Sequence, residues 1–179
     1  MTERPMTYDH LRSRKKPNIK TVRLTLDSEV ADIFEDAKAE VERLKIRVDY
    51  KPDDKTLRAE YHAAMEKFAE AKAQVMDHSV LFKFRSIGRK RFDDLIFEHP
   101  PTDAQIKKAK DNGTGDVNWN EDTFPVALIH ACLIEPKLEE QEVKDLWESE
   151  DWAGSEVLAL FYAALEVNSS RRAIDLGKD

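Results

Sequence analysis

The chain has 179 residues, of which 41% are hydrophobic and 36% charged, with a formal net charge of −7 and a single cysteine. This length suggests one domain or two small ones, and one cysteine excludes an internal disulfide. No apolar run approaches the length of a membrane span, and the N-terminus lacks the apolar core of a signal peptide. We therefore expect a soluble protein of a reducing cytoplasm.

Charge is distributed unevenly along the chain. Between Glu121 and Glu156 there are eleven acidic residues and two lysines, a local balance of −9. The first twenty residues instead contain six arginines and lysines against two acidic residues. Such asymmetry is informative about partners rather than about the fold.

The N-terminal half begins with an arm and a strand. Residues 1–18 are polar, basic and without periodicity, which predicts a flexible arm. Residues 19–110 predict a strand, two long helices, a second strand and then short helices. In the first strand Val22, Leu24 and Leu26 alternate with polar residues, which is typical of a strand with one buried face.

Two long helices are predicted between the strands, over about 28–47 and 54–76. Apolar residues recur at steps of three and four in each, which gives each helix one apolar stripe. Pro52 interrupts the pattern between them, so we expect the helices to pack as an antiparallel hairpin. The second strand, "HSVLFKFR", again alternates and is expected to run antiparallel to the first.

The C-terminal half reads as short helices around one linker. Thr102 and Gln105 form a capping-box pattern for a short helix. Residues 111–120, with two glycines and three asparagines, predict a linker. Residues 121–168 predict an acidic domain of three helices, the first over about 123–134, and 169–179 a polar C-terminal tail. The predicted fold class is α+β and predominantly α-helical: two antiparallel strands flank a long helical hairpin, and a small acidic helical bundle follows.

The uncharged stretch "TFPVALIHACL" contains a histidine and the only cysteine. On a helix, His130 and Cys132 point about 200° apart, so they cannot act together as base and nucleophile. Cys132 is better interpreted as a small core residue. The five histidines show no spacing typical of a metal site. We expect no catalytic residue, no metal and no cofactor, and hence a protein that is not an enzyme.

Aromatic residues in the acidic region are the candidate partner-binding positions: Trp119, Phe124, Trp147 and Trp152. Most tryptophans of this kind pack in a core. Partly exposed ones beside a polar rim suit a protein-binding groove, so both interpretations stay open.

The basic arm contains "RSRKKP", which has the charge to contact nucleic acid phosphates. No recognition module or interleaved aromatic residue follows it. Nucleic acid is therefore not the expected partner, although a nucleic-acid-binding regulator using this arm stays an alternative.

Three segments occur in the order "GRKRFDDLIFEHPPTDAQ", "NWNEDTFPVALIHACLIEP" and "LEEQEVKDLWES…VLALFYAALEVN". Together they resemble the tail assembly chaperones of long-tailed (siphovirus-type) bacteriophages of actinobacteria. The resemblance covers roughly residues 80–168. The helix–HPPT–helix segment and "DTFPVALI" are its most specific parts.

The resemblance implies a non-enzymatic protein of the host cytoplasm. Such chaperones bind the tape measure protein, keep it soluble and promote assembly of tail tube protein around it, and they are absent from the mature virion. Self-association through the hairpin or the strand edges is a further expectation. The family commonly makes a longer product by a programmed −1 ribosomal frameshift, for which codons of Leu176–Lys178 are a candidate site. A structural tail or connector protein of the virion is the alternative.

Overall fold

The computed structural model describes residues 7–169. Within them the chain forms eight helices and three strands: α1 (Tyr8–Arg14), β1 (Ile19–Thr25), α2 (Ser28–Tyr50), α3 (Lys55–Asp77), β2 (Ser79–Arg85), α4 (Arg89–Glu98), α5 (Asp103–Asn112), α6 (Phe124–Cys132), β3 (Leu133–Glu135), α7 (Glu140–Glu148) and α8 (Gly154–Ser169). The strands form one antiparallel sheet in the order β1–β2–β3. The predicted fold class, α+β and predominantly helical, is confirmed.

The chain divides into two compact units, and the division differs from the expected one. Residues 23–81 form the hairpin unit, while the main unit contains, of the described chain, residues 7–22 and 82–169. The expected linker at 111–120 separates no units, because it lies within the main unit. Trp119 at its end stacks on Phe124, with ring centroids 4.9 Å apart, which ties this segment to the core.

The hairpin unit consists mainly of α2 and α3, each 23 residues long. Both helices begin at an aspartate that accepts hydrogen bonds from free N–H groups of the first turn. Asp27 accepts from two such groups and Asp54 from that of Leu57. Between the helices Leu44 and Leu57 are buried in one apolar cluster. The predicted helical hairpin is thus present, with each helix ending slightly later than expected.

The third strand, β3, was not expected, because the sequence predicts a helix as far as about residue 134. Lys83 of β2 faces Glu135 of β3, and their side chains form an ion pair of 3.4 Å. The residue before a proline is disfavoured in helical conformation, and Pro136 imposes this on Glu135. The helix therefore ends at Cys132 and the next residues extend into the sheet.

The core of the main unit is built around α6. Seven of its nine residues are buried, and it contacts α4, α7 and α8. A helix that is apolar on all sides is stable only when other elements surround it. Pro125 lies in the first turn, where its missing N–H costs no hydrogen bond. The uncharged stretch of the sequence is therefore the central helix of this unit.

The N-terminal arm contains a helix where the sequence predicts none. In α1 the side chain of Thr7 accepts a hydrogen bond from the His10 N–H at 3.4 Å. The sequence indicates this helix only through the Thr7 cap and the apolar pair Tyr8 and Leu11, which are one turn apart. These indications are weak in a segment that is otherwise polar and basic. Residues 1–6 and 170–179 lie outside the described residues, and with them most of the predicted tail and the candidate frameshift site.

Candidate functional site

Two of the three segments that carry the resemblance are hydrogen-bonded to each other. His99 Nδ1 lies 2.9 Å from Thr123 Oγ1, and the backbone N–H of Asn120 donates to the carbonyl of His99 at 2.8 Å. Gln105 Nε2 donates to Asp122 Oδ2 at 3.1 Å. The "HPPTDAQ" and "NWNEDT" segments are thus connected by hydrogen bonds, which fix the start of α5 next to the start of α6.

Asn120 also determines where α6 begins. Its side-chain oxygen accepts from the N–H groups of Asp122 at 2.9 Å and Thr123 at 3.2 Å. These bonds close a tight turn, and Phe124 N–H then donates to the Asn120 carbonyl at 3.1 Å. The second segment thus contains the turn that leads the chain into the central helix α6.

The third segment is attached through Asn168 near the end of α8. Its Oδ1 accepts from the Ile87 N–H at 3.0 Å, and its Nδ2 donates to the Ala164 carbonyl at 2.8 Å. The same amide nitrogen lies 3.2 Å from the Cys132 sulfur, in a hydrogen bond. The ending "AALEVN" is thus fixed to α6 and to the chain just after β2.

Cys132 is wholly buried, which confirms that it is a core residue. Burial raises the pKa of its thiol to about 11, and the hydrogen bond from Asn168 opposes this shift only partly. The thiol is therefore protonated at neutral pH, and a thiol rather than a thiolate is a poor nucleophile. His130 is half-buried two residues earlier on α6.

Three of the candidate aromatic residues meet in one cluster of the main unit. Phe124 and Phe161 lie at its centre, with ring centroids 6.2 Å apart in an edge-to-face arrangement. Trp119 stacks on Phe124, and Trp147 is edge-on to Phe161 at 6.2 Å. Such aromatic pairs add stability beyond the area they bury.

The structure corrects one candidate. Phe124 is 0% exposed, so it is a core residue and not part of a surface that meets a partner. The reason is the position of α6, which is enclosed by other helices. Trp119, Trp147 and Trp152 are half-buried. Trp152 lies apart from the cluster and is edge-on to Phe82, with ring centroids 6.4 Å apart.

Two residues of α8 are exposed that the sequence did not indicate as surface positions, and the apolar periodicity had wrongly placed Leu158 on the inward face. Leu158 is 41% exposed and Tyr162 is 60% exposed, and their spacing of four places them on one face of the helix. We call this pair the α8 patch. The ring of Tyr162 lies next to that of Phe161 in the aromatic cluster, with centroids 5.9 Å apart. The signal was available, because "VLALFYAALEV" has more apolar residues than one buried face accommodates.

The α8 patch lies in the acidic part of the chain. Glu166, one turn beyond Tyr162, pairs with Lys20 at 2.8 Å, and it is one of many carboxylates on α7, α8 and their connection. Exposed apolar side chains in an acidic part of the chain suit a partner that is apolar on one face and also carries basic residues.

The described residues 7–169 contain no helix that is both long and apolar enough to cross a membrane. In the same range no group of three or more histidine, cysteine, aspartate or glutamate side chains is arranged to hold a metal ion. The chain matches no protein-family model, no curated protein and no solved structure. What remains for a functional assignment is the resemblance of the three segments and the surface of the main unit.

Proposed function

We propose that this protein is a phage tail assembly chaperone, which binds the tape measure protein, keeps it soluble and promotes assembly of the tail tube around it. In this role it acts in the host cytoplasm, performs no chemistry and is absent from the finished virion. The resemblance of three ordered segments supports the proposal. These segments are hydrogen-bonded to one another or to adjacent residues. A resemblance in them is therefore a resemblance in the residues that hold the main unit together.

The observation that carries the proposal is the exposed α8 patch, which lies in the acidic part of the chain. A tape measure protein is a very long, largely helical chain with apolar stripes that aggregate until tube subunits cover them. Leu158 and Tyr162 offer such a stripe a small apolar contact. The carboxylates of this acidic part of the chain would attract basic residues of the client and repel other copies of the same acidic region.

A small patch has a further advantage for this task. A chaperone that must later yield to tube subunits needs contacts that are individually weak and repeated along the client. Two exposed apolar residues provide that kind of contact rather than a deep anchoring pocket. The client is then covered by many copies, each of which dissociates readily.

Co-expression with the tape measure protein of the same phage tests this role. We expect the wild-type chain to move the tape measure protein into the soluble fraction, and the double variant Leu158→Ser, Tyr162→Ser to lose most of that effect. Phe97→Ser is the matched control, because Phe97 on α4 is 87% exposed and lies outside the patch. All variants should keep the circular dichroism and unfolding midpoint of the wild type.

A tape measure protein that stays insoluble beside the wild-type chain would show that the proposed function is wrong. Equal loss of solubilisation in the Phe97→Ser variant would instead remove the α8 patch as the binding surface. Detection of the chain in purified virions would favour the alternative, a structural tail or connector protein.

A further inference from the structure

One face of α2 carries residues whose order is self-complementary. Six residues follow each other at alternating steps of three and four, which places them on one stripe of the helix. These are Ile33, Asp36, Glu40, Arg43, Arg47 and Tyr50. Glu40 is half-buried and the others are exposed. We call this set the α2 stripe. Its first half is acidic, its second half is basic, and each end is apolar.

The spacing of the α2 stripe is symmetric about its centre. If a second copy lies antiparallel, Ile33 is opposite Tyr50 of the second copy. In the same alignment Asp36 is opposite Arg47, and Glu40 is opposite Arg43. A two-fold axis generates every contact twice, so four opposite-charge pairs and two apolar pairs form together. A parallel alignment would place like charges opposite each other.

The apolar ends of the stripe have complementary shapes. A groove of about 420 Å³ lies between α2 and α3 and is lined by Ile33, Ala37, Ala64 and Ala71, with Asp36, Glu40 and Glu70 among its charged residues. Tyr50, near the other end of α2, is 84% exposed. Thirteen residues of helix separate Ala37 from Tyr50, about 20 Å, so Tyr50 cannot fill the groove of its own chain. It can fill that of an antiparallel copy.

The hairpin unit also has little interior of its own. All its residues are described, and its buried hydrophobic side chains are Leu24, Leu44, Leu57, Ala64 and Ala71. Two of these five are alanines, which bury little area, whereas Ile33 remains 46% exposed beside the groove. Covering the groove with a second copy would remove this apolar surface from water.

We propose that the α2 stripe is a docking surface for a second copy of this chain, which pairs with it antiparallel and about a two-fold axis. The proposal is independent of the chaperone role, since it rests on the hairpin unit alone. Because the pairing depends on the charged residues of α2, it should be sensitive to salt.

The intrachain ion pairs of the stripe do not prevent this pairing. Glu40 and Arg43 already form a 2.6 Å ion pair within one helix, and Arg47 lies 3.8 Å from Glu60. All four side chains keep roughly half of their surface exposed. Each can therefore also reach an opposite charge on a second copy, which produces a ring of alternating charges at the centre of the interface.

Sedimentation velocity of the full chain over a range of concentrations tests the proposal. We expect a reversible dimer for the wild type, and at least about tenfold weaker association for two charge-reversal variants. In Arg43→Glu, Arg47→Glu the stripe becomes wholly acidic, and in Asp36→Lys, Glu40→Lys it becomes wholly basic. Mixing these two variants should restore dimers, because the acidic stripe of one then meets the basic stripe of the other.

Lys38→Glu, Lys45→Glu is the matched control. It reverses the same number of charges on α2 but away from the stripe, and Lys38 also has an ion pair three residues away, with Glu35. We expect this variant to dimerise like the wild type. A wild type that is monomeric at every concentration, equal loss in the control, or a mixture that stays monomeric while both variants are helical by circular dichroism would each overturn the proposal.

Discussion

The side-chain amide of Asn168 donates a hydrogen bond to the sulfur of Cys132, at 3.2 Å and across 36 residues of sequence. The same side chain accepts from the Ile87 N–H at 3.0 Å, so one asparagine connects α8, α6 and the chain after β2. The side chain of Asn168 therefore fixes the end of α8 to two other parts of the main unit.

Removal of this side chain should destabilise the protein. Asn168→Ala leaves the part-buried Ile87 N–H without its acceptor, and we expect a loss of about 1–3 kcal/mol in the free energy of unfolding. Urea unfolding followed by tryptophan fluorescence measures it. Asn118→Ala is the control, because Asn118 is exposed and should change stability by less than about 0.5 kcal/mol. Equal effects of the two substitutions would refute the structural role of Asn168.

The buried thiol predicts a loss of stability at alkaline pH. The pKa of Cys132 is about 11 in the folded chain, against an ordinary value of 9.0. Between these values the unfolded chain releases the proton first, so stability present at neutral pH is lost as the pH rises from about 9 to 11. Relative to Cys132→Ala, the wild type should lose on the order of 2 kcal/mol over this range. Parallel pH profiles of the two proteins would contradict the prediction.

Phe124 should contribute to stability and not to an accessible surface. Phe124→Ala opens a cavity at the centre of the aromatic cluster, and we expect it to cost about 3–5 kcal/mol in the free energy of unfolding. Phe97→Ala removes an exposed ring and should cost less than about 0.5 kcal/mol. Thermal and urea unfolding of both variants measure the difference. A small effect at Phe124 would mean that its ring is not part of the core.

Two glycines should respond to alanine in opposite directions. Gly88, which precedes α4, has φ +83° and ψ 153°, a conformation that an alanine adopts only with strain. Gly88→Ala should therefore destabilise the protein by about 1–3 kcal/mol. Gly154 starts α8 and has open space where a Cβ would lie, so Gly154→Ala should stabilise it by about 0.4–1 kcal/mol. Unfolding midpoints that shift the same way would contradict this pair of predictions.

Most of the helices, and the strands β1 and β2, could be predicted from the sequence, because their residue patterns are clear locally. Asp27 and Asp54 are aspartates at N-cap positions, where this residue type is preferred, and the apolar periodicity of α2 and α3 extends over many turns. The misses were short elements. The three residues of β3 were assigned to a helix, because Pro136 restricts only Glu135, and the extended conformation of Leu133 and Ile134 also depends on pairing with β2.

The candidate site was harder to predict than the fold. The sequence left open whether Trp119 and Trp147 pack in a core or face a partner, and only the packing shows that Phe124, on which Trp119 stacks, is fully enclosed. The α8 patch was missed for a related reason. Periodicity alone does not tell which of several apolar faces has no neighbour, and on α8 that face contains Leu158 and Tyr162.

The hairpin unit is an excursion between two adjacent strands. The chain leaves the main unit along β1 and returns along β2, and the Leu26 N–H donates to the His78 carbonyl at 2.8 Å where the excursion closes. The two ends of residues 28–77 are thus only a strand spacing apart, a gap that a two-residue turn can bridge. The hairpin is therefore an insertion between two paired strands. We expect that a change in its length, or its replacement by a short turn, leaves the order of the other elements unchanged.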